Sequence, residues 1–272
     1  MYGPGMLAGL LLPLSLLLAL GIGLPVVRAV RATVFTDPVG EPYRALAQDP
    51  VLWDVLARTL TVAALMTALS LCLAYPTAAF ISRMSPRLRW VLLALVLLPM
   101  WSSTVARTYG WMGIFVRDGV VDRVAGVFGA GPLRLLYTQT AVVFGMVHVL
   151  VPLLTLPIYA ALQRYDHRLT QASLSLGAGR VRTFFRVKLP ILMPPLLAAS
   201  TTVFVLALGF FETPALLGGP RSQLISNLIS QQIFSRYDVP RAQAMSLVLL
   251  VGVLGVLAVL GTGAALLRRS AK

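Results

Sequence analysis

Charge is scarce in this chain. Only 12% of its 272 residues are Asp, Glu, Lys or Arg, against about 25% in an ordinary soluble domain. Acids are scarcer still, with 9 Asp and Glu against 23 Lys and Arg. The single cysteine, Cys72, excludes a disulfide within the chain, and its apolar setting reads as a small core residue rather than a nucleophile. The two histidines, His148 and His167, are too few for a metal cluster. His148, near Pro152 and Pro157, reads as a packed helix residue. No GxxxxGK[ST] phosphate loop is present, so the chain cannot hold ATP in that way. Acids and histidines are too sparse along the apolar segments to converge on an enzyme site. No tandem repeat points to a stand-alone secondary transporter. A net charge of +14 can signal nucleic acid. Here the basic residues flank apolar runs, where they set topology and meet anionic headgroups, and no aromatic-plus-basic RNA pattern accompanies them.

What the chain has in abundance is apolar length. Hydrophobic residues make up 58% of it, and the mean hydropathy is +0.84. About 20 apolar residues cross a bilayer as a helix. Six windows meet that length, at roughly 6–27, 57–80, 90–111, 138–161, 191–217 and 243–267. The third and fifth also carry Ser, Thr, Glu and Pro and are less purely lipid-facing. The first lacks the basic leader and small-residue cleavage site of a signal peptide and reads as a retained span. These features predict an all-α, polytopic membrane protein of six transmembrane helices in one domain, 1–272.

An even number of spans puts both termini on one side. One set of connections is then 81–89, 162–190 and 268–272; the other is 28–56, 112–137 and 218–242. The first set holds 12 basic residues and the second, with its flanks, 11. The first set is much shorter, so its density is about double, and the positive-inside rule favours it as cytoplasmic. Arg28 and Arg31, directly after the first span, pull the other way. The second set holds most of the acids, among them Asp49, Asp118, Asp122 and Asp238.

The connection at 163–190 is long for a helix-to-helix link. Asp166 can cap a first short helix with its carboxylate, and Gly177 and Gly179 can end it. A second helix is expected from about Arg180 to Val187, stopped by Pro190, which also starts the next span. Phe184 and Phe185 lie on its neighbouring faces. Two phenylalanines in a basic loop call either for a partner that covers them or for an interfacial helix with its rings among headgroups.

This connection resembles the coupling loop of the permeases of binding-protein-dependent ABC importers. That loop reads Glu-Ala-Ala, three residues, Gly, nine residues, Ile, any residue, Leu-Pro. Here Gln171-Ala172-Ser173 is followed at the same spacing by Gly177, Val187 and Leu189-Pro190. Gln171 replaces Glu, Ser173 the second Ala and Val187 the Ile. Residues 98–111, 213–220 and 225–232 resemble the spermidine/putrescine-type subfamily, so the likeness runs from about residue 57 to the end. It implies the type I ABC importer permease fold in a bacterial inner membrane, and the denser basic set of connections puts the termini on the cytoplasmic side. It also implies an ABC ATPase dimer, a second and related permease chain and an external binding protein as partners. Gln171, Ala172, Ser173, Gly177, Ala178, Phe184, Phe185, Leu189 and Pro190 would dock the ATPase. ATP and Mg would sit on that ATPase, with no cofactor on this chain.

The substrate implied by the likeness is a polyamine, with aminoalkyl phosphonate, amino acid or ferric iron as alternatives. Candidates for the path are Trp101, Ser102, Tyr109 and Glu212. Glu212 can attract a cation, or be an interfacial acid that pairs with Arg221 or caps a helix break near Pro214. Trp101 and Tyr109 can hold an ammonium by cation–π attraction, or belong with Trp111 to the aromatic belt. Arg107 at this level argues against a simple cation pore. Pro194-Pro195 suggests a bend.

Overall fold

The computed structural model describes residues 9, 12, 13, 15–35, 39–129 and 131–270, with side chains throughout except at 260 and 263–270. Among these residues all regular structure is helical. The chain divides into two compact units, Met1–Asp54 with Leu228–Val256 and Val55–Asn227 with Leu257–Lys272.

The first unit begins with α1, Ser15–Val34. The start of the expected 6–27 span lies outside the described residues, and the helix continues past Val27 to Val34. Helix α2 (Glu41–Ala47) folds back against α1, where the Thr33 and Tyr43 hydroxyls bond at 2.8 Å. Helix α3 (Pro50–Ser82) starts behind Asp49, whose carboxylate accepts from the Val51 N–H at 2.9 Å. The last helix, Val239–Ser270, starts behind Asp238 in the same way, with the Arg241 N–H at 3.1 Å. Arg241 then pairs with Asp49, so one ion pair ties together two capped helix starts.

The second unit holds the rest of α3, then α4 (Pro86–Trp101), α5 (Thr104–Phe115) and α6 (Val120–Val127). Helix α7 (Gln139–Arg164) follows, then α8 (His167–Ser175), α9 (Arg180–Gly209), α10 (Glu212–Leu217) and the first residues of α11 (Ile225–Phe234). Helix α7 is the centre of this unit. Its most apolar stretch is 61% buried, the highest share among the long helices. Met146, Leu150, Leu154 and Ile158 recur every four residues and are fully buried. Helix α9 packs along it.

Three expectations need correction. The third span is not one helix over 90–111: α4 and the piece Thr104–Val127, which holds α5 and α6, meet at a 95° bend after Trp101. Ser102 and Ser103 are extended there, and the Ser102 hydroxyl donates to the Pro99 carbonyl at 2.8 Å. The fifth span does not run to Leu217. Helix α9 stops at Gly209, and α10 is a separate piece. Pro190 does not stop the second helix of the loop either. The residues from Arg180 to Gly209 form one continuous helix. A π turn at Phe184–Lys188, in which the Leu189 N–H reaches back to the Phe184 carbonyl, widens the helix just before the proline. Widening relieves the clash between the ring and the preceding turn. The same device precedes Pro25, where a π turn covers Ala19–Gly23.

Cys72 is also exposed rather than part of the core. On a helix that faces lipid, an apolar residue gains nothing from burial inside the protein.

Candidate functional site

The first candidate region is the fold-back from α8 into α9. Asp166 caps α8, its carboxylate accepting from the Arg168 N–H at 2.9 Å. At the other end Gly177 adopts φ +82°. The Gly177 N–H donates to the Leu174 carbonyl at 3.0 Å, and the Ala178 N–H to the Ser173 carbonyl at 3.2 Å. Together these two bonds form a Schellman closure, which needs a left-handed residue after the helix. A Cβ at position 177 would meet nothing within 4 Å. Glycine is needed there for its backbone angle and not for space.

Ser173 does two jobs. Its carbonyl closes the turn, and its hydroxyl bonds Thr183 at 3.0 Å, which clips α8 to the start of α9. Tyr165 and Thr170 bond at 2.8 Å on the inner side. Lys188 lies 5.8 Å above the Tyr165 ring. Arg83, His167, Thr170, Leu174, Arg180 and Lys188 line a cleft of about 440 Å³ with a strongly basic rim.

The residues with the coupling-loop spacing sort by exposure. Gln171, Ala172, Gly177 and Pro190 are exposed, and Ser173, Ala178 and Leu189 are half-buried. The structure separates the two phenylalanines. Phe185 is 60% exposed. Phe184 turns inward against Tyr75, with ring centroids 5.9 Å apart in an edge-on pair. Phe184 thus already has a cover within the chain. The outward apolar surface consists instead of Phe185 with Leu174, Leu176 and Val181. Ser173–Thr183 and Tyr75–Phe184 were not singled out from the sequence. A hydroxyl ten residues downstream, or an aromatic ring on another span, gives no local signal.

The second candidate region joins two broken spans. The break at 210–211 would leave main-chain carbonyls without partners in an apolar layer, which costs several kcal/mol per group. Ser226 donates to the Phe210 carbonyl, and Asn227 Nδ2 to the Phe211 carbonyl at 3.1 Å. The Ile225 N–H in turn donates to Thr59 Oγ1 on α3 at 2.9 Å. At the other break, Arg107 Nη2 donates to the Ser102 carbonyl at 3.2 Å. Helices α5 and α10 pack together, with Thr108 and Thr213 bonded at 3.4 Å. Both approach α7 at Gly145, where a Cβ would lie 2.6 Å from Leu217 Cδ1 and 3.1 Å from Thr213 Cγ2. The Trp111 ring packs edge-on to His148 at 5.6 Å.

Trp101, at the bend, is 90% exposed, and Tyr109, on α5, is 59% exposed. Ser102 and Glu212 are exposed as well. Glu212 opens α10, where its charge suits the helix N-terminus. No ion pair joins it to Arg221 among the described residues. Ser102, Tyr109 and Glu212 therefore sit on or beside two helices that pack together.

Two membrane spans interrupted beside one another, and a closed helix-turn-helix carrying the coupling-loop spacing, form a specific architecture. Residues 67–272 match the family described as the binding-protein-dependent transport system inner membrane component. The chain belongs to this family. It is 32% identical over 205 residues to the spermidine/putrescine transport system permease protein PotB of Escherichia coli K12, covering 75% of this chain and 74% of that one. It is 34% identical over 206 residues to PotB of Haemophilus influenzae, covering 75% and 72%. The inner membrane ABC transporter permease protein YdcU of Escherichia coli K12 matches at 33% over 214 residues, covering 74% and 68%.

Among solved structures, a bacterial alginate ABC transporter in complex with its alginate-bound periplasmic protein superposes with a TM-score of 0.77. The identity is 19%, over 93% of this chain and 92% of that one. The inward-facing MetNI methionine ABC transporter gives 0.61 at 16%, over 81% and 99%. These likenesses show the fold. The expected all-α permease fold stands, and the protein is a multi-pass inner-membrane permease of an ABC importer. Its relatives are transport permeases rather than enzymes.

Proposed function

We propose that this permease carries a polyamine such as putrescine or spermidine into the cytoplasm, driven by a partner ABC ATPase. The observation that carries the substrate class is the 32–34% identity, over three quarters of the chain, to permeases named for spermidine and putrescine transport. The α8–α9 fold-back supports the coupling role. Its closed turn is rigid, and its outward apolar residues, Leu176 and Phe185 foremost, stay largely exposed among the described residues. Docked in an ATPase cleft, they lose that exposed surface. Gln171, Ala172, Ser173, Gly177, Ala178, Leu189 and Pro190 shape the contact, and Phe184 holds it to the rest of the protein through Tyr75. ATP and Mg belong to the ATPase, and this chain holds no cofactor. A second, related permease and an external binding protein complete the assembly.

In this reading the 163–190 segment and both termini face the cytoplasm. Closure of the ATPase dimer moves the clipped α8–α9 fold-back as a unit, and the broken spans exchange the accessible side. Trp101, Ser102, Tyr109 and Glu212 line the passage, where aromatic faces and one carboxylate suit an ammonium group.

The test is copurification of the tagged permease with its neighbours, followed by ATPase and uptake measurements in proteoliposomes with the cognate binding protein. ATPase association with putrescine or spermidine uptake is the expected result. Association with uptake of an aminoalkyl phosphonate, amino acid or ferric iron instead would refute the substrate class alone. Failure of any ATPase to associate would refute the coupling role.

A further inference from the structure

Helix α6 and the strap after it fit neither the coupling element nor the broken-span cluster. Val120, Val124, Val127 and Phe128 fall on one side of this helix at helical spacing, and all four are more than half exposed. The opposite side is fastened to the strap. Asp122 accepts from the Asp118 N–H at 3.0 Å with one carboxylate oxygen and from the Leu133 N–H at 2.9 Å with the other. Its charge is thereby spent inside the loop.

Beneath the helix lies a groove of about 340 Å³. Phe115, Val116, Pro132, Leu133 and Leu136 supply apolar walls, Asp122 lines it with its carboxylate turned to the Asp118 and Leu133 N–H groups, and Arg117 and Arg134 are its two cationic side chains. Both arginines are exposed, and neither is in an ion pair among the described residues. Arg123, also exposed, donates to the Asp118 carbonyl at 3.1 Å. Asp118 is the one exposed acid set against these three arginines.

We propose that α6 lies flat in the membrane–water interface and that its groove holds an anionic phospholipid, with the headgroup phosphate between Arg117 and Arg134. Charge complementarity favours this occupant: guanidinium forks match phosphate oxygens. Position favours it too. Helix α6 begins five residues after α5 ends, where the broken third span leaves the hydrocarbon layer. An apolar face with arginines beside it is the pattern of an interfacial helix. The valines and Phe128 enter the acyl boundary, and the arginines stay at the headgroups. The helix then anchors the end of α5, and so the bend at Ser102, to the bilayer.

The test uses the assembled importer in nanodiscs. Phe128→Cys, in a Cys72→Ala background, carries a nitroxide, with Val124→Cys as a second reporter and Gln48→Cys, exposed just after α2, as an aqueous control. Collision with oxygen is compared with collision with a water-soluble nickel chelate. The expected oxygen-to-nickel ratio at 124 and 128 is several-fold above that at 48. It rises further when phosphatidylglycerol replaces part of the phosphatidylcholine, and Arg117→Gln with Arg134→Gln removes that rise. Nickel access equal to the control, or labels shielded from both reagents by a protein partner, would overturn the proposal. A rise that persists in the double arginine variant would overturn the phosphate site.

Discussion

The fold-back at 163–190 and the paired breaks at 102–103 and 210–211 both interrupt helices of the same unit, but they are held by different forces. The fold-back is closed by its neighbours in the chain: Asp166 caps, Gly177 turns, and Ser173 bonds a residue only ten positions away. Its exposed side chains are therefore spared for a partner. The break at 102–103 is also closed locally, by the Ser102 hydroxyl on the Pro99 carbonyl and Arg107 on the Ser102 carbonyl, but the break at 210–211 and the packing of α5 on α10 are held from far away. Asn227 and Ser226 satisfy carbonyls sixteen residues back, and Thr108 meets Thr213 across 105 residues. A locally closed element can move as a unit without losing its shape. A break stitched by distant side chains can rearrange only when those helices shift. The division suits a lever and a gate.

The two glycines at the centres of these regions offer the sharpest way to break that contrast. Gly145→Leu is expected to have the largest effect, because even the first added carbon meets Leu217 and Thr213 at 2.6 and 3.1 Å. Overpacking of about 1–3 kcal/mol or more should lower the melting temperature of the purified permease. An unchanged melt would show that α10 is not locked to α7. Gly177→Val adds a side chain in open space but forces a β-branched residue to φ +82°, at about 1–2 kcal/mol. Its expected signature is reversed: normal insertion and only a small fall in melting temperature, with binding-protein-stimulated ATPase and uptake reduced about tenfold, the equivalent of ~1.4 kcal/mol. Gly177→Asn should recover much of the loss, since Asn tolerates this conformation. Normal transport by Gly177→Val would sink the reading of the loop.

The phenylalanine pair tests the same division within one turn of helix. Phe184→Ala should lower stability by about 1–3 kcal/mol, because it uncovers Tyr75. Phe185→Ala, which loses only an edge-on contact with Phe184 at 5.1 Å, should lower the melt much less and weaken copurification of the ATPase. Equal behaviour of the two would erase the distinction drawn from their exposure. Ser173→Ala should show the smallest effect. Loss of the Thr183 bond costs about 1 kcal/mol in a half-exposed setting, visible as a modest fall in coupling with the turn intact.

Much of the fold-back was legible in the sequence. A capping aspartate, a glycine after a helix and a Leu-Pro step are local signals, and the spacing from Gln171 to Pro190 carried the family likeness. The helix running through Pro190 was not legible, because a π turn absorbs the proline and leaves no mark in composition. The breaks were half legible. Ser102, Ser103, Pro214 and Glu212 marked the third and fifth apolar windows as unusual, yet hydropathy averages over a bend and cannot place it. Asn227 stood in a stretch with subfamily likeness, but its role at the Phe211 carbonyl depends on a helix that only folding brings near.

The sequence by itself determined the membrane class, the number of apolar stretches and the closed turn at Gly177. These rest on hydropathy over a window and on backbone preferences that act between near neighbours. Only the tertiary structure decided where the third and fifth spans break, that Phe184 faces in while Phe185 faces out, and that α6 presents its valines outward. Each of those outcomes depends on which group, near or distant, comes to satisfy a carbonyl, cover a ring or fasten one face of a helix. That is settled when the helices meet, not by the residues on either side.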